Sequence, residues 1–466
     1  MDRRGFLKGT SLVTSFYFLS GLAHQATRGG KAFAITKDGA ALPLGSWTSN
    51  LINEWAALPA RTPSTLWKVY PESTRDQNNQ ELRAFAFEFR RQIQIIPETG
   101  PQRREKLKEM SEIAKKRISG VVDISDQDPR LMQAASLFMH QALDFDSSIS
   151  GADVYQALRN VITALFLQQT FQVTTVLTPS ITAYSLLYPY TDNYLDETLK
   201  STKEKVSFAE RFRRRLSGES VKALNSQEYK IFSLVEFIEN EYDRLAYPEV
   251  YKALLLIHDR QIQSLARQQQ KDLSKFSTAE VLDMSIQKGG ASVLADAILV
   301  HPSAKETDLQ FAYRLGFVLQ LIDDLQDTVQ DYLNGDVTIF TQALSRQESL
   351  EPIILKVMQA VEATPVENKL FKQFCYYLIA EGAMNLKHHP AVYPGMGRRE
   401  YEQRLKKLEL EMPRRLRSRF LQDLGSRFEV SVARLDEERI ERLFAAEFDK
   451  SPRKFASQLQ EALEVQ

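Results

Sequence analysis

Helical periodicity dominates the middle of this chain, between Arg130 and His389. Apolar residues recur there at spacings of three and four, and short segments containing glycine or proline separate the helical patterns. Alternating runs of β-branched residues are scarce, and the best strand candidate, residues 173–178, lies between helical patterns. The sequence therefore predicts an all-α domain over residues 130–390.

The composition is typical of a globular protein with a large apolar core. The 466-residue chain is 43% hydrophobic and 26% charged, and its 60 basic residues balance its 60 acidic residues. A nucleic-acid-binding protein more often has a basic excess, so we expect no nucleic-acid partner. The single cysteine, Cys375, excludes an intrachain disulfide and a cysteine-rich zinc site.

The amino terminus has the pattern of an export signal. The pair Arg3-Arg4 precedes a moderately apolar run over residues 9–23 and a small-x-small cleavage site at residues 32–34. This order resembles a twin-arginine signal, which would comprise residues 1–34 and direct the folded protein to the periplasm. The alternatives are a basic amino-terminal helix and a cytoplasmic protein in which the signal is not used.

Two further segments flank the helical domain. Residues 35–129 are predicted to form an N-terminal arm and helices, and the tryptophans Trp47, Trp55 and Trp67 are expected to clamp the arm onto the domain. Binding of a membrane surface or a partner by these tryptophans is the alternative. Residues 391–466 are charged and helical in pattern, and they predict a set of peripheral C-terminal helices.

Two aspartate clusters lie within the helical patterns. They comprise Asp192 and Asp196 in the first cluster, and Asp323, Asp324, Asp327 and Asp331 in the second. Residues four apart share a helix face, so each cluster would form a row of carboxylates. Such rows repel each other unless a cation lies between them, and Mg²⁺ and Mn²⁺ prefer carboxylate and phosphate oxygens. The clusters predict a Mg²⁺ (or Mn²⁺) diphosphate site, and solvated acidic helix faces are the alternative.

The second cluster and its context resemble the class I isoprenoid synthases. Gly316 and Gln320 precede it in the Gly-x-x-x-Gln pattern of the second aspartate-rich motif of those enzymes. Asp323, Asp327 and Asp331 also have the spacing of the metal triad in terpene cyclases, which usually have Ser or Thr and then Glu at the last two places.

The first cluster is similar to the first motif of squalene and phytoene synthases, in which Asp-Asp-x-x-Asp-Glu follows a tyrosine-containing helix. Asn193 stands where those enzymes usually have the second aspartate. Between the clusters, Lys288 lies in a segment similar to the diphosphate-binding Lys-Thr-Gly/Ala segment of chain-elongating prenyltransferases. A basic run, residues 211–215, follows the first cluster at a greater distance than the arginine pair of those prenyltransferases.

The resemblance implies a class I isoprenoid synthase-like helical bundle with extra terminal helices, and a transferase that acts on isoprenyl diphosphates. The implied catalytic residues are Asp192, Asp196, Asp323 and Asp327. The implied metal ligands are Asp192, Asp196, Asp323, Asp324, Asp327 and Asp331. The implied diphosphate ligands are Lys288, Arg211, Arg214, Arg215 and Gln320. The reaction would be prenyl transfer or head-to-head condensation after diphosphate ionisation, with cyclisation or simple diphosphate loss as the nearest alternatives.

Apolar side chains could enclose the carbocation of such a reaction, with ordinary core packing as the alternative. The candidates are Phe166, Phe171, Tyr184, Leu187, Phe232, Phe311 and Phe317. An export signal conflicts with cytoplasmic isoprenyl diphosphates, so a membrane-carried polyprenyl lipid is a second possible substrate. A non-catalytic exported helical protein that binds a lipid or a partner is the alternative of another class, and Asn193 favours it slightly.

Overall fold

The computed structural model describes most of the central part of the chain. The described residues are 42–61, 129–196, 200–268, 276–366 and single residues between 371 and 386. They contain helices, turns and irregular connections but no strand, which confirms the predicted all-α class. The strand candidate is an irregular connection between two helices. The predicted export signal, Trp67 and the predicted C-terminal helices lie outside the described residues.

The helices are numbered here in chain order. They are α1 Leu44–Ala57, α2 Pro129–Phe145, α3 Gly151–Thr170, α4 Pro179–Asp196, α5 Thr202–Leu216, α6 Ser226–Glu241, α7 Pro248–Gln268, α8 Thr278–Val300, α9 Glu306–Gln326, α10 Thr328–Asn334, α11 Ile339–Ser345 and α12 Glu351–Ala363. Among the described residues, no helix combines the length and the apolar character needed to cross a membrane.

Polar N-cap residues determine where several of these helices begin. Ser201 and Ser277 form capping boxes with Glu204 and Glu280 at the starts of α5 and α8. The Asn225 side chain accepts a hydrogen bond from a backbone N–H in the first turn of α6. These caps satisfy backbone donors that have no partner within the helix, and they fix the registers of α5, α6 and α8.

The most extensive helix contact joins α8 and α9, and it depends on glycine. A Cβ atom built on Gly289 or on Gly316 would lie closer than 3.0 Å to the backbone carbonyl oxygen of the other residue. A Cβ atom on Gly290 would be equally close to the ring of Tyr313. Because glycine has no side chain, the two helix backbones come into direct contact at this crossing.

The other long helices pack around the α8–α9 pair. The helices α3 and α7 pack on α8, and α4 packs on α3 and α6. The helix α4 continues through Pro189, so Asp192 lies within its last turns. The first aspartate cluster and the α8–α9 pair are therefore parts of one packed unit.

The helix α1 packs on the α8–α9 pair through two tryptophans. The buried ring of Trp47 lies 5.8 Å from that of Tyr313, and the buried ring of Trp55 lies 6.2 Å from that of Phe317, measured between centroids. The Thr48 hydroxyl also forms a 3.0 Å hydrogen bond with the Tyr313 hydroxyl. Trp47 and Trp55 thus hold α1 against α9, the helix that carries Asp323 and Asp324.

Replacing Gly316 with alanine should lower the free energy of unfolding by about 3 kcal/mol, because the new methyl group would meet backbone atoms that cannot move aside. Gly45→Ala is the matched control. A Cβ atom at Gly45 meets nothing within 4 Å, so the helix should be unchanged or gain up to about 1 kcal/mol. Chemical denaturation of both variants measures the difference, and equal stabilities would contradict the close crossing.

Candidate functional site

A partly open cavity lies among helices α3, α4, α5, α7, α8 and α9. Much of its wall is apolar and includes Tyr184, Leu187, Phe212, Leu216, Leu254 and Ile257. Tyr184 and Leu187 were among the candidate wall residues. The other five candidates do not line this cavity: Phe166, for example, stacks on Phe371 and Phe317 packs on Trp55. Their contribution is therefore core packing rather than the wall of this cavity.

Lys288 lines the cavity and interacts electrostatically with both aspartate clusters. Burial opposes the charge of its ammonium group, but Tyr188 and the carboxylates of Asp324, Asp192 and Asp323 outweigh that effect and raise the pKa of Lys288. Asp192 comes from α4, whereas Asp323 and Asp324 come from α9. The charged ammonium group therefore lies near carboxylates from both clusters.

The Tyr188 phenol lies in the same electrostatic environment. Burial raises the pKa of Tyr188, the charges of Asp192 and Asp323 raise it further, and the nearby cations Lys288 and Arg159 lower it. Arg159, on α3, places a terminal guanidinium nitrogen 3.1 Å from Oδ1 of Asp323. Sequence reasoning missed Arg159, because an arginine inside an amphipathic helix has no local pattern that indicates a distant aspartate partner.

Asp324 is the most deeply buried described carboxylate of the second cluster. Its Oδ1 accepts a 2.7 Å hydrogen bond from Nε2 of Gln320, and its Oδ2 accepts a 3.0 Å hydrogen bond from Oγ of Ser285. Burial raises the pKa of Asp324 to about 6, although Gln320 and Lys288 partly oppose the rise. Gln320, a predicted diphosphate ligand, thus lines the cavity and also holds a carboxylate.

Asp323, Asp327 and Asp331 keep the one-turn spacing expected from the sequence. The helix α9 ends at Gln326, but the backbone N–H groups of Asp327 and Asp331 still donate 2.9 Å hydrogen bonds to the carbonyl groups four residues earlier. Burial raises the pKa of Asp331 well above its ordinary value, and the charges of Asp327, Asp324 and Asp336 add to the effect. In the absence of a cation, the ionised form of Asp331 is therefore less favourable than that of an exposed aspartate.

The first cluster is described only in part. The charge of Asp192 raises the pKa values of Tyr188 and Lys288. Asp196 is the last residue of α4, and its side chain is not among those that the structure describes. The Nδ2 group of Asn193 donates a 2.8 Å hydrogen bond to Oδ1 of Asp153 at the start of α3. An aspartate at position 193 would meet this carboxylate with like charge, so asparagine suits its surroundings.

The arginines predicted to bind diphosphate form ion pairs outside the cavity wall. Each has a glutamate partner: Arg211 pairs with Glu228, Arg214 with Glu219 and Arg215 with Glu239. The Glu228 side chain is fully buried, so removing its partner would leave a buried charge without compensation. Binding of diphosphate by Arg211 would require this pair to open. Of the predicted cationic ligands, the structure places only Lys288 in the described lining of the cavity.

Within the described part of the chain, no three histidine, cysteine, aspartate or glutamate side chains form a group that could hold a metal ion. The donor chemistry nevertheless fits Mg²⁺, which is usually bound by one or two carboxylates together with substrate phosphates and waters rather than by a protein cage. The raised pKa values of Asp324 and Asp331 fit as well, because a cation would stabilise their ionised forms.

A second buried carboxyl group lies next to the cavity. Asp296, on α8, accepts a 2.9 Å hydrogen bond at Oδ1 from Nδ2 of Asn160, a residue that lines the cavity. Its Oδ2 has no hydrogen-bond partner among the described residues. Burial raises the pKa of Asp296 well above its ordinary value, although the hydrogen bond from Asn160 partly opposes the rise. The sequence signal was one aspartate inside the otherwise apolar second half of α8.

Comparison with known proteins assigns no family to this chain. No protein-family model matches it, and no curated protein sequence matches it. The all-α class therefore comes from the structure, and the chemistry must be argued from the residues around the cavity.

The Asp324→Asn variant should lose less stability than the wild-type protein as pH rises from 4 to 7. The folded-state pKa of Asp324, about 6, lies above its ordinary value of 3.8, so its stabilising contribution is present at low pH and is lost as pH rises through 6. The stability difference between variant and wild type should change by on the order of 3 kcal/mol over this range.

Thermal or chemical unfolding at several pH values measures this change. Glu249→Gln, which alters an exposed carboxylate paired with Lys252, serves as the control. A difference between Asp324→Asn and wild type that stays constant with pH would show that Asp324 is not held in its protonated form.

Proposed function

We propose that this protein is a Mg²⁺-dependent isoprenoid synthase-like transferase that ionises isoprenyl diphosphates. One observation supports the proposal above the others: carboxylates from α4 and from α9 both act on Lys288, which lines a largely apolar cavity. An isoprenyl diphosphate has the same two-part chemistry, with an anionic group at one end and an apolar chain at the other. The charged part of the site and the apolar wall would each receive one part of this substrate.

The cations of the site would stabilise the leaving diphosphate. Lys288 lines the cavity, and Arg159 lies beside Asp323, so two positive side chains are near the carboxylates. Mg²⁺ held by the aspartates, with Asp192 and Asp323 as the central ligands, would neutralise negative charge on the diphosphate as the carbon–oxygen bond breaks. Asp327 and Asp331 extend the row of Asp323, Asp324 lies beside that row, and Asp196 would extend the row of Asp192.

The apolar wall would protect the carbocation that remains after the diphosphate leaves. Leu187, Leu216, Leu254 and Ile257 offer no nucleophile, and they would limit the access of water to the space that an isoprenyl chain would fill. The proposed reaction is prenyl transfer or head-to-head condensation, and cyclisation or simple diphosphate loss uses the same first step. If the predicted export signal is used, a polyprenyl diphosphate at a membrane surface would be the substrate.

Two observations favour a second candidate function, binding of an anionic lipid without catalysis. The positive charge of Lys288 already compensates carboxylates from both clusters. The Asn193 side chain, which stands where related motifs have an aspartate, donates a hydrogen bond to Asp153 on α3. A protein of this kind would hold the lipid head group through Lys288 and Arg159, with no requirement for a metal ion. Metal dependence therefore distinguishes the two functions.

Asp192→Asn and Asp323→Asn should each lower Mg²⁺-dependent release of diphosphate by about 10²–10³-fold, because each removes charge that positions the cation. The assay uses geranyl, farnesyl and geranylgeranyl diphosphates and measures released diphosphate with and without a chelator. Glu219→Gln, a change in an exposed carboxylate paired with Arg214, should leave the rate unchanged. Release that continues in excess chelator would contradict the role of the metal ion, and tight metal-independent binding without release would support the lipid-binding function.

Lys288→Gln should weaken binding of inorganic diphosphate in the presence of Mg²⁺ at least tenfold, because a charge-assisted contact is lost (roughly 1.5–3 kcal/mol). Arg214→Gln is the matched control, since its guanidinium group pairs with Glu219 at the surface. Calorimetric titration of both variants measures the effect. Equal losses would show that the basic run of α5 also contacts diphosphate, whereas a loss in Arg214→Gln alone would exclude Lys288 as the main ligand.

A further inference from the structure

A histidine lines the cavity on the wall formed by α5 and α7. His258, on α7, is 5% exposed, and its ring packs against the ring of Phe212 at 89°, with the centroids 5.2 Å apart. One ring N–H donates a hydrogen bond to the backbone carbonyl of Ala209 on α5. The imidazole is therefore held in one orientation by an aromatic contact and a backbone contact.

The hydrogen bond to Ala209 leaves the other ring nitrogen as an acceptor. A neutral imidazole has one N–H and one nitrogen with a free lone pair, and the N–H is used by the backbone carbonyl. Among the described residues, Ala209 is the only hydrogen-bond partner of the His258 side chain. Because His258 forms part of the cavity lining, a ligand in the cavity would lie beside the imidazole ring.

His258 is neutral at neutral pH. Burial lowers the pKa of His258 to about 4, the negative charge of Asp259 partly opposes the shift, and the positive charge of Arg213 adds to it. Asp259 and Arg213 pair with each other at 2.9 Å, which weakens the net effect of both charges on the imidazole. The ring therefore keeps its lone pair above about pH 5.

The remaining described residues of the cavity lining offer no comparable base. Its other polar members are amides, hydroxyls and the charged Lys288, of which none has a basic lone pair at neutral pH. Lys288 and Gln320, which mark the charged side of the cavity, belong to α8 and α9, whereas His258 belongs to α7. The base and the site proposed for the diphosphate thus lie on different helices around one cavity.

We propose that His258 accepts the proton that ends the reaction in this cavity. This inference rests on the proposed function, which leaves a carbocation after the carbon–oxygen electron pair departs with diphosphate. A C–H bond next to the cationic carbon breaks, its electron pair forms a carbon–carbon double bond, and the proton moves to the free nitrogen of His258. The imidazolium then returns the proton to water or to the released diphosphate. The same step completes prenyl transfer, cyclisation and simple diphosphate loss.

The test compares products of the wild-type protein with those of His258→Gln and His258→Phe. Glutamine keeps a donor for the Ala209 carbonyl and phenylalanine keeps a ring against Phe212, but neither is a base. The substrate is the isoprenyl diphosphate from which the wild-type protein releases diphosphate fastest, with Mg²⁺ present. In both variants the ratio of alkene to alcohol products should fall at least about tenfold, because water captures a cation that lacks its base. His301→Gln, outside the cavity lining, should keep the wild-type ratio.

The outcomes separate this inference from the proposed function. If the wild-type protein releases no diphosphate, the proposed function fails and the inference fails with it. If release occurs and both variants keep the wild-type product ratio, the role of His258 alone is overturned.

A second measurement uses the wild-type protein, so it tests the role of His258 even if the variants are inactive or unfolded. A trialkylammonium analogue of the carbocation, bound with Mg²⁺ and inorganic diphosphate, should donate a hydrogen bond to His258 and shift its imidazole ¹⁵N signal. An unchanged ¹⁵N signal in the saturated complex would overturn the proposal.

Discussion

The close crossing of α8 and α9 is the contact on which the proposed site depends. Gly289 and Gly316 bring the two backbones together, and any side chain at either position would separate them. Lys288 precedes one of these glycines, and Gln320 follows the other by one helical turn. The crossing therefore brings Lys288 near Gln320 and Asp324. In this chain the glycines thus help to position the charged groups as well as the two helices.

The charges around Lys288 would otherwise be unfavourable to bury. Like carboxylates repel one another, and burial penalises each of them, as the raised pKa values of Asp324 and Asp331 indicate. Lys288 and Arg159 compensate part of this cost. An additional cation would stabilise the ionised forms of these two carboxyl groups. Their position beside Lys288 and a largely apolar cavity is the physical basis for proposing Mg²⁺ and a diphosphate ligand with an apolar chain.

The helical class and the spacing of the aspartates could be predicted from local sequence, because helical periodicity and one-turn spacing depend only on neighbouring residues. The packing of Trp47 and Trp55 followed from their apolar character.

The tertiary partners of the site residues could not be predicted in this way. Arg159 reaches Asp323 from another helix, and His258 faces the cavity because α5 and α7 pack together. The basic run of α5 was conspicuous in sequence, yet glutamates from other parts of the fold engage it. A cluster of charged residues in the sequence is thus weaker evidence for a binding site than the ion-pair partners of those residues in the folded structure.

The most direct test of the central claim is a crystal structure of the protein with Mn²⁺ and inorganic diphosphate. Anomalous scattering from manganese should locate the ion between the carboxylates of α4 and α9, within about 2.3 Å of oxygens of Asp192 or Asp323, with diphosphate oxygens on Lys288. Manganese only at surface carboxylates, or diphosphate bound away from Lys288, would contradict the claim that the two aspartate clusters form one metal-diphosphate site.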